Sequence, residues 1–177
     1  MNKYARLEDI HLFSNILSEK ERKRLIEVTK PLLLEGSKLA EIYGHCVGYP
    51  GKQTNSNIHL NPEFENIHSE ILRLSRKYLQ KNFEVERSWV NWTNGKKKDI
   101  NWHTHHTPYA AVYYMKHLPI FTNGTLFKMQ VNDKVRTKFF KAPQNSAIVF
   151  PAQLLHTAPS SPLRVDRYTL AINLGFK

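Results

Sequence analysis

Three imidazoles and one guanidinium carry the chemistry open to this chain. The stretch Trp102-His103-Thr104-His105-His106 sets two histidines two residues apart. In an extended segment His103 and His105 share one face, while Thr104 and His106 take the other. A third imidazole, His156, ends Phe150-Pro151-Ala152-Gln153-Leu154-Leu155-His156, and Arg167 follows eleven residues later. Imidazole suits divalent zinc, iron, copper or nickel, and three protein ligands on one side leave positions open for a cosubstrate and oxygen. Two ligands at i and i+2 cannot surround an ion. His156, brought in from a distant strand, closes one face, so His103, His105 and His156 are the candidate metal ligands and catalytic centre.

Arg167 opens the last predicted strand, on which Arg167, Thr169, Ala171 and Asn173 alternate with Tyr168, Leu170, Ile172 and Leu174. An inward guanidinium calls for an anion, because desolvating it is costly unless a carboxylate takes its planar fork. Thr169 adds a hydroxyl on the same face. The competing reading pairs Arg167 with Asp166 or another protein carboxylate.

The rest of the chain must supply the scaffold. Ser18-Glu19-Lys20-Glu21 has the spacing of a capping box, and Leu25 and Val28 continue an apolar stripe, so a helix starts there. Pro31 should interrupt or kink it, with a second helical piece over Leu32 to Tyr43. Gly44 to Asn61 shows neither period and reads as a long loop, of the kind that can select a substrate. The clearest helix has Asn61 as cap and Pro62 at its first position, with Phe64, Ile67, Ile71, Leu74 and Tyr78 as one buried stripe. His68 lies beside that stripe and reads as surface or packing.

Beyond Asn82 the period becomes two. Predicted strands cover Val85 to Thr93, Tyr109 to Met115, Thr125 to Val131, Val135 to Phe140, Ala147 to Phe150 and Arg167 to Leu174. Asn94-Gly95, Asn123-Gly124 and Asn132-Asp133 supply turns. Helices first and strands later indicate an α+β fold, the strands rolled into a sandwich or barrel with the helices outside.

The 177 residues fit one domain, with 1–82 as mainly helical support and a loop, and 83–177 as the β-roll. Cys46 is the only cysteine, which excludes an intramolecular disulfide. No apolar run approaches the roughly 20 residues that span a bilayer, and the first residues lack a signal-peptide core, so the expectation is a cytoplasmic protein. The formal net charge of +11 admits nucleic acid or another acidic partner. Its lysines and arginines are scattered in sequence, with no basic helix among them, so no motif indicates such a partner.

Taken together, these residues resemble the iron(II) and 2-oxoglutarate-dependent dioxygenases, in the double-stranded β-helix (jelly-roll, cupin-like) form related to prolyl hydroxylases. The resemblance covers Trp89 to Phe176. It rests on His103-Thr104-His105, Tyr113-Tyr114-Met115, Gly124-Thr125-Leu126-Phe127, Phe150-Pro151 before His156, and Arg167-Tyr168-Thr169 with Ile172-Asn173-Leu174. It implies iron(II) on the histidines, the distal carboxylate of 2-oxoglutarate on Arg167 and Thr169, and Tyr114 and Asn91 as further candidates to line the cosubstrate pocket. The implied reaction consumes O2, decarboxylates 2-oxoglutarate to succinate and hydroxylates an unactivated C–H bond.

One departure stands out. The family presents a histidine, any residue, then aspartate or glutamate, and this chain has His105 at the carboxylate position, like a branch of such oxygenases with His-x-His. That leaves a three-histidine iron site, a carboxylate recruited from Asp99 or Asp133, or a site without iron chemistry. Strand geometry favours three histidines. His106 faces away in a regular strand, and Trp89, Trp92 and Trp102 read as packing or as stacking surfaces near a barrel mouth. Three functions follow: a 2-oxoglutarate-dependent oxygenase, a three-histidine cupin-type dioxygenase that does not use 2-oxoglutarate, and a non-catalytic basic β-domain that binds nucleic acid.

Overall fold

In the computed structural model the described residues are 9–35, 38, 51–94, 101–117, 124–131, 134–159 and 165–177. Strand β1 (His11–Ser14) leads into helix α1 (Glu19–Thr29). The capping box forms as the spacing predicts: Glu21 N–H donates to the Ser18 hydroxyl, and Ser18 N–H donates to Glu21 Oε2 at 3.0 Å. Pro31 does not kink a continuing helix. It sits in a 3-10 turn (Lys30–Leu32), after which the chain turns extended as β2 (Leu34–Glu35), so the helix expected over Leu32 to Tyr43 is not there as far as Glu35. Proline removes the amide that another helical turn needs.

The expected loop from Gly44 to Asn61 is structured in its described part. Strand β3 (Lys52–Gln53) pairs with β2 and with β4, and a 3-10 turn covers Ile58–Leu60. Residues 44–50 lie outside the described residues. The Asn61 side chain accepts from Glu63 N–H, and Pro62 opens a single 3-10 turn (Pro62–Phe64) before helix α2 (Glu65–Leu79). Its stripe is shorter than the sequence suggests: Phe64, Ile67 and Ile71 are buried, Leu74 is half-buried, and Tyr78 is exposed with its ring against Phe13.

The remaining strands are β4 (Phe83–Asn94), β5 (Tyr109–Lys116), β6 (Gly124–Val131), β7 (Lys134–Lys141), β8 (Ser146–Pro151), β9 (His156–Thr157) and β10 (Asp166–Phe176). Each predicted strand is present, longer by a residue or more. A seven-stranded antiparallel sheet runs β1-β8-β5-β10-β4-β3-β2, and a three-stranded sheet runs β7-β6-β9. This is an α+β jelly roll, a double-stranded β-helix with its helices outside. Among the described residues no helix is long and apolar enough to cross a membrane.

The period of two sorts the large sheet into two faces. Tyr168, Leu170, Ile172 and Leu174 of β10, with Tyr113 and Met115 of β5, pack under Leu25 and Ile26 of α1, Phe64 of the 3-10 turn and Ile67 and Ile71 of α2. Toward the small sheet, Ala110, Tyr114, Ile148 and Phe150 meet Phe127 and Met129 in a second core. Burying one such side chain stabilises by about 1.5–3 kcal/mol. The two cores therefore fix the register of β10, and that register turns Arg167 and Thr169 inward.

Candidate metal centre

His103, His105 and His156 converge. Each offers a ring nitrogen, and the three nitrogens lie within 4.8 Å of one another. The backbone brings them together: His103 and His156 exchange both N–H to carbonyl bonds at 3.0 Å, and His105 N–H donates to the Ala152 carbonyl at 2.8 Å. The segment around them is otherwise irregular, with His103 in an isolated bridge to His156 rather than a continuous strand. His106 is exposed.

Second contacts set the tautomers. His103 Nδ1 is 2.7 Å from the Asn101 carbonyl and His156 Nδ1 is 2.6 Å from the Leu154 carbonyl. A carbonyl only accepts, so each Nδ1 carries the proton and each Nε2 keeps its lone pair for a metal. His105 Nε2 lies 3.3 Å from His156 Nε2, which aims both at the same point. Burial, then the neighbouring His103 and His106, pushes the His105 pKa down to about 4. Burial, then His103, pushes His156 to about 3, against the pull of the Leu154 carbonyl. Both rings are thus neutral near pH 7, the form that ligates. No carboxylate among the described residues joins the cluster, and Asp99 and Asp133 lie outside them.

A cavity of about 320 Å³ opens beside the histidines, and Arg167, Thr169, Asn91, Gln53, Thr125 and Trp89 are among the residues that line it. Arg167 is buried. Its Nη1 donates to the Pro159 carbonyl at 3.1 Å and its Nη2 to the Gly124 carbonyl at 3.3 Å, while Nε has no partner among the described residues. Asp166, the competing partner in sequence, is taken by Trp92 Nε1 and Asn94, with Lys116 3.6 Å away. A buried guanidinium with an orphaned N–H and two neutral acceptors has no countercharge among the described residues. A carboxylate in the cavity satisfies both needs, and the imidazole set suits a divalent transition metal.

Two of the candidates from the sequence fall in different places. Asn91 lines the cavity, with its side-chain oxygen accepting from Gln53 Nε2 at 2.8 Å. Tyr114 does not reach it: the ring is fully buried in the second core, and its hydroxyl pairs at 2.7 Å with the hydroxyl of Thr125, which does. Burial raises the Tyr114 pKa to about 12, so it stays protonated.

Three contributors have no site role in the reading of the sequence, though Gly124 and Thr125 belong to its Gly124-Thr125-Leu126-Phe127 motif. Gln53 lies in a stretch without period, and only its pairing to β4 carries it to the site. Thr125 left a trace, as the polar member of an inward set whose other members are Phe127 and Met129. Gly124 has φ +147°, a Cβ there would meet the Phe140 carbonyl oxygen at 2.0 Å, and its own carbonyl holds Arg167.

No protein-family model matches the sequence, and no curated protein matches it. Solved structures do match. The non-heme alpha ketoglutarate dependent epimerase SnoN from nogalamycin biosynthesis superposes with a TM-score of 0.73 at 10% identity, over 95% of this chain and 78% of that one. HygX from Streptomyces hygroscopicus, with nickel, 2-oxoglutarate and hygromycin B bound, gives 0.70 at 10% identity over 96% and 83%. AviO1 from Streptomyces viridochromogenes Tue57 gives 0.70 at 10% identity over 94% and 89%. At that identity the likeness is one of fold, and the fold is one that non-heme 2-oxoglutarate-dependent enzymes use.

Proposed function

We propose that this chain is an iron(II)- and 2-oxoglutarate-dependent oxygenase that hydroxylates its substrate, with His103, His105 and His156 as the metal ligands and Arg167 as the partner of the cosubstrate's distal carboxylate. The observation that carries the reading is the buried Arg167, without a carboxylate among the described residues, in the same cavity as three converging imidazoles. The fold shared with SnoN, an alpha ketoglutarate dependent epimerase, and with HygX, solved with 2-oxoglutarate bound, supports it. Bound iron(II) supplies oxygen activation, with 2-oxoglutarate decarboxylated to succinate as the source of electrons.

The chain's own residues do the placing. His103 and His156 hold their Nδ1 protons on backbone carbonyls and present Nε2. Arg167 receives a carboxylate in its fork, Thr169 offers a hydroxyl beside it, and the Gln53–Asn91 amide pair lines the same cavity. Val112, Ala158 and Ala171 make part of the wall apolar, which excludes water and strengthens the charge pairing.

His105 favours a second reading. A site of three neutral ligands carries one more positive charge than one with two histidines and a carboxylate, which changes its redox behaviour. In that reading the protein is a three-histidine dioxygenase that does not use 2-oxoglutarate, and Arg167 holds the substrate's own carboxylate. Isothermal titration of 2-oxoglutarate into anaerobic, iron(II)-loaded protein separates the two, alongside Arg167→Ala and His156→Ala. Binding that needs both residues is the expected result. A folded, iron-loaded protein that binds no 2-oxoglutarate would overturn the first reading and leave the second.

A further inference from the structure

Four polar side chains in the cavity wall are buried together: Arg167 at 8% exposure, Thr169 at 7%, and Gln53 and Asn91 at 9% each. Asn91 of β4 and Thr169 of β10 are direct cross-strand partners, and Arg167, paired with Thr93, is the diagonal neighbour of Asn91 on the same face. Long side chains reach a diagonal neighbour. The Asn91 amide therefore lies beside the guanidinium and beside whatever the guanidinium holds.

The two ends of that amide do opposite things, because its oxygen only accepts and its NH2 only donates. Turned toward Arg167, the oxygen would give a neutral acceptor to a guanidinium whose Nε has none among the described residues, and would compete with an incoming carboxylate. The structure has the other arrangement. Asn91 Oδ1 accepts from Gln53 Nε2 at 2.8 Å, so the oxygen is drawn toward β3 and the NH2 is the end left for the cavity. Gln53 is anchored to do this. Strand β3 is two residues long, but Thr54, next in the chain, ties it to β4: Thr54 N–H donates to the Val90 carbonyl and Val90 N–H donates to the Thr54 hydroxyl, both at 3.0 Å. On its other side Gln53 is paired with Leu34 of β2.

We propose that Gln53 is a positioning residue for the cosubstrate: it holds the Asn91 oxygen away from Arg167, keeps the guanidinium open for a carboxylate, and turns the Asn91 NH2 toward that carboxylate as an added donor. The role rests on the 2-oxoglutarate reading and adds to it a preference for an anion at Arg167. That preference is set from β3, a different strand from those that carry Asn91 and Arg167.

A mutant cycle on 2-oxoglutarate binding tests this, by isothermal titration into nickel(II)-loaded protein. Gln53→Met keeps the length and removes the donor, so the Asn91 oxygen turns onto Arg167. One hydrogen bond to a charged group then stands against the ligand, and affinity falls about ten-fold with nickel affinity unchanged. Asn91→Leu removes the NH2 donor and also weakens binding about ten-fold. Adding Gln53→Met to Asn91→Leu causes no further loss, because Gln53 acts only through Asn91. Gln53→Glu, ionised and able only to accept, enforces the reversed amide; it weakens binding more than Gln53→Met does, and less in the Asn91→Leu background than in the parent. If the parent binds 2-oxoglutarate and Gln53→Met stays within about two-fold of it, the proposal is overturned and the cosubstrate reading stands. Equal losses from Gln53→Met in both backgrounds also overturn it, because Gln53 is then only part of the wall. A nickel-loaded parent that binds no 2-oxoglutarate removes the cosubstrate reading and this role together.

Discussion

Two pairs of histidines, each with one buried and one half-buried ring, invite comparison. His105 and His156 line the cavity; His59 and His68 lie on the far side of the large sheet, in a second cavity with Arg76, Glu84 and Lys177. Burial lowers the pKa of all four, and takes His68 to about 4, close to His105. Desolvation alone therefore does not distinguish them. Anchoring does. His156 has Nδ1 on a carbonyl and Nε2 aimed at two other imidazoles, whereas neither ring nitrogen of His68 has a partner at hydrogen-bonding geometry among the described residues. A site needs directed lone pairs, and a buried ring without them is a packing residue with an acid-sensitive group attached.

The largest expected effect tests that distinction. Structural zinc sites bind with about 10–16 kcal/mol from four ligands, so one imidazole accounts for roughly 3–4 kcal/mol. His156→Ala should weaken nickel(II) or iron(II) binding about a thousand-fold by titration, and His68→Ala should leave it unchanged. Equal losses from both would erase the contrast.

Acid stability is the next lever, and here His68 should contribute a share comparable to those of His105 and His156. The His68 pKa is lowered from 6.5 to about 4, so the unfolded chain takes up a proton between those values while the folded chain resists it. Stability contributed above pH 6.5 is lost as pH falls toward 4, by about 3 kcal/mol in all. His68→Phe should flatten that limb in urea melts at pH 7.5, 5.5 and 4.5. An acid limb as steep as the parent's would mean that the folded state accepts the proton at little cost.

Arg167→Ala comes third. Losing a charge-assisted pair weakens 2-oxoglutarate binding by about 2 kcal/mol, near thirty-fold, with the metal retained. Arg76→Ala, beside the other histidine pair, should change nothing in the same titration.

Why one pair was legible in sequence and the other was not follows from the same physics. His103 and His105 sit at a strand's spacing and Arg167 at a strand's inward position, so a period of two sufficed, and alternation also fixed which face of β10 is dry. His68 sits one residue past Ile67 on α2, where helical periodicity alone does not tell surface from core; a contact with Phe64, ring centroids 6.4 Å apart, decided it. Gln53 was hidden for another reason. A two-residue strand has no period, and its place depends on pairing with residues 38 positions away. Leu34–Glu35 was read as helix because propensity is local, whereas the bond to Lys52–Gln53 that holds it extended is not.

The smallest effect separates a satisfied buried polar group from an orphaned one. Tyr114 and Thr125 share a hydroxyl hydrogen bond, with Tyr114 in the core and Thr125 at the cavity wall. Tyr114→Phe removes one partner, yet Thr125 still faces the cavity and its water, so stability should fall by about 1 kcal/mol with 2-oxoglutarate affinity unchanged. Thr125→Val strands the Tyr114 hydroxyl where no water reaches, so it should be the more damaging of the two, by about 1 kcal/mol. The double variant should then be less destabilised than the sum of the singles, because the group that Thr125→Val leaves unsatisfied is gone. Urea melts of the four proteins measure the coupling, and simple additivity would mean that the hydroxyl pair does not act as a unit.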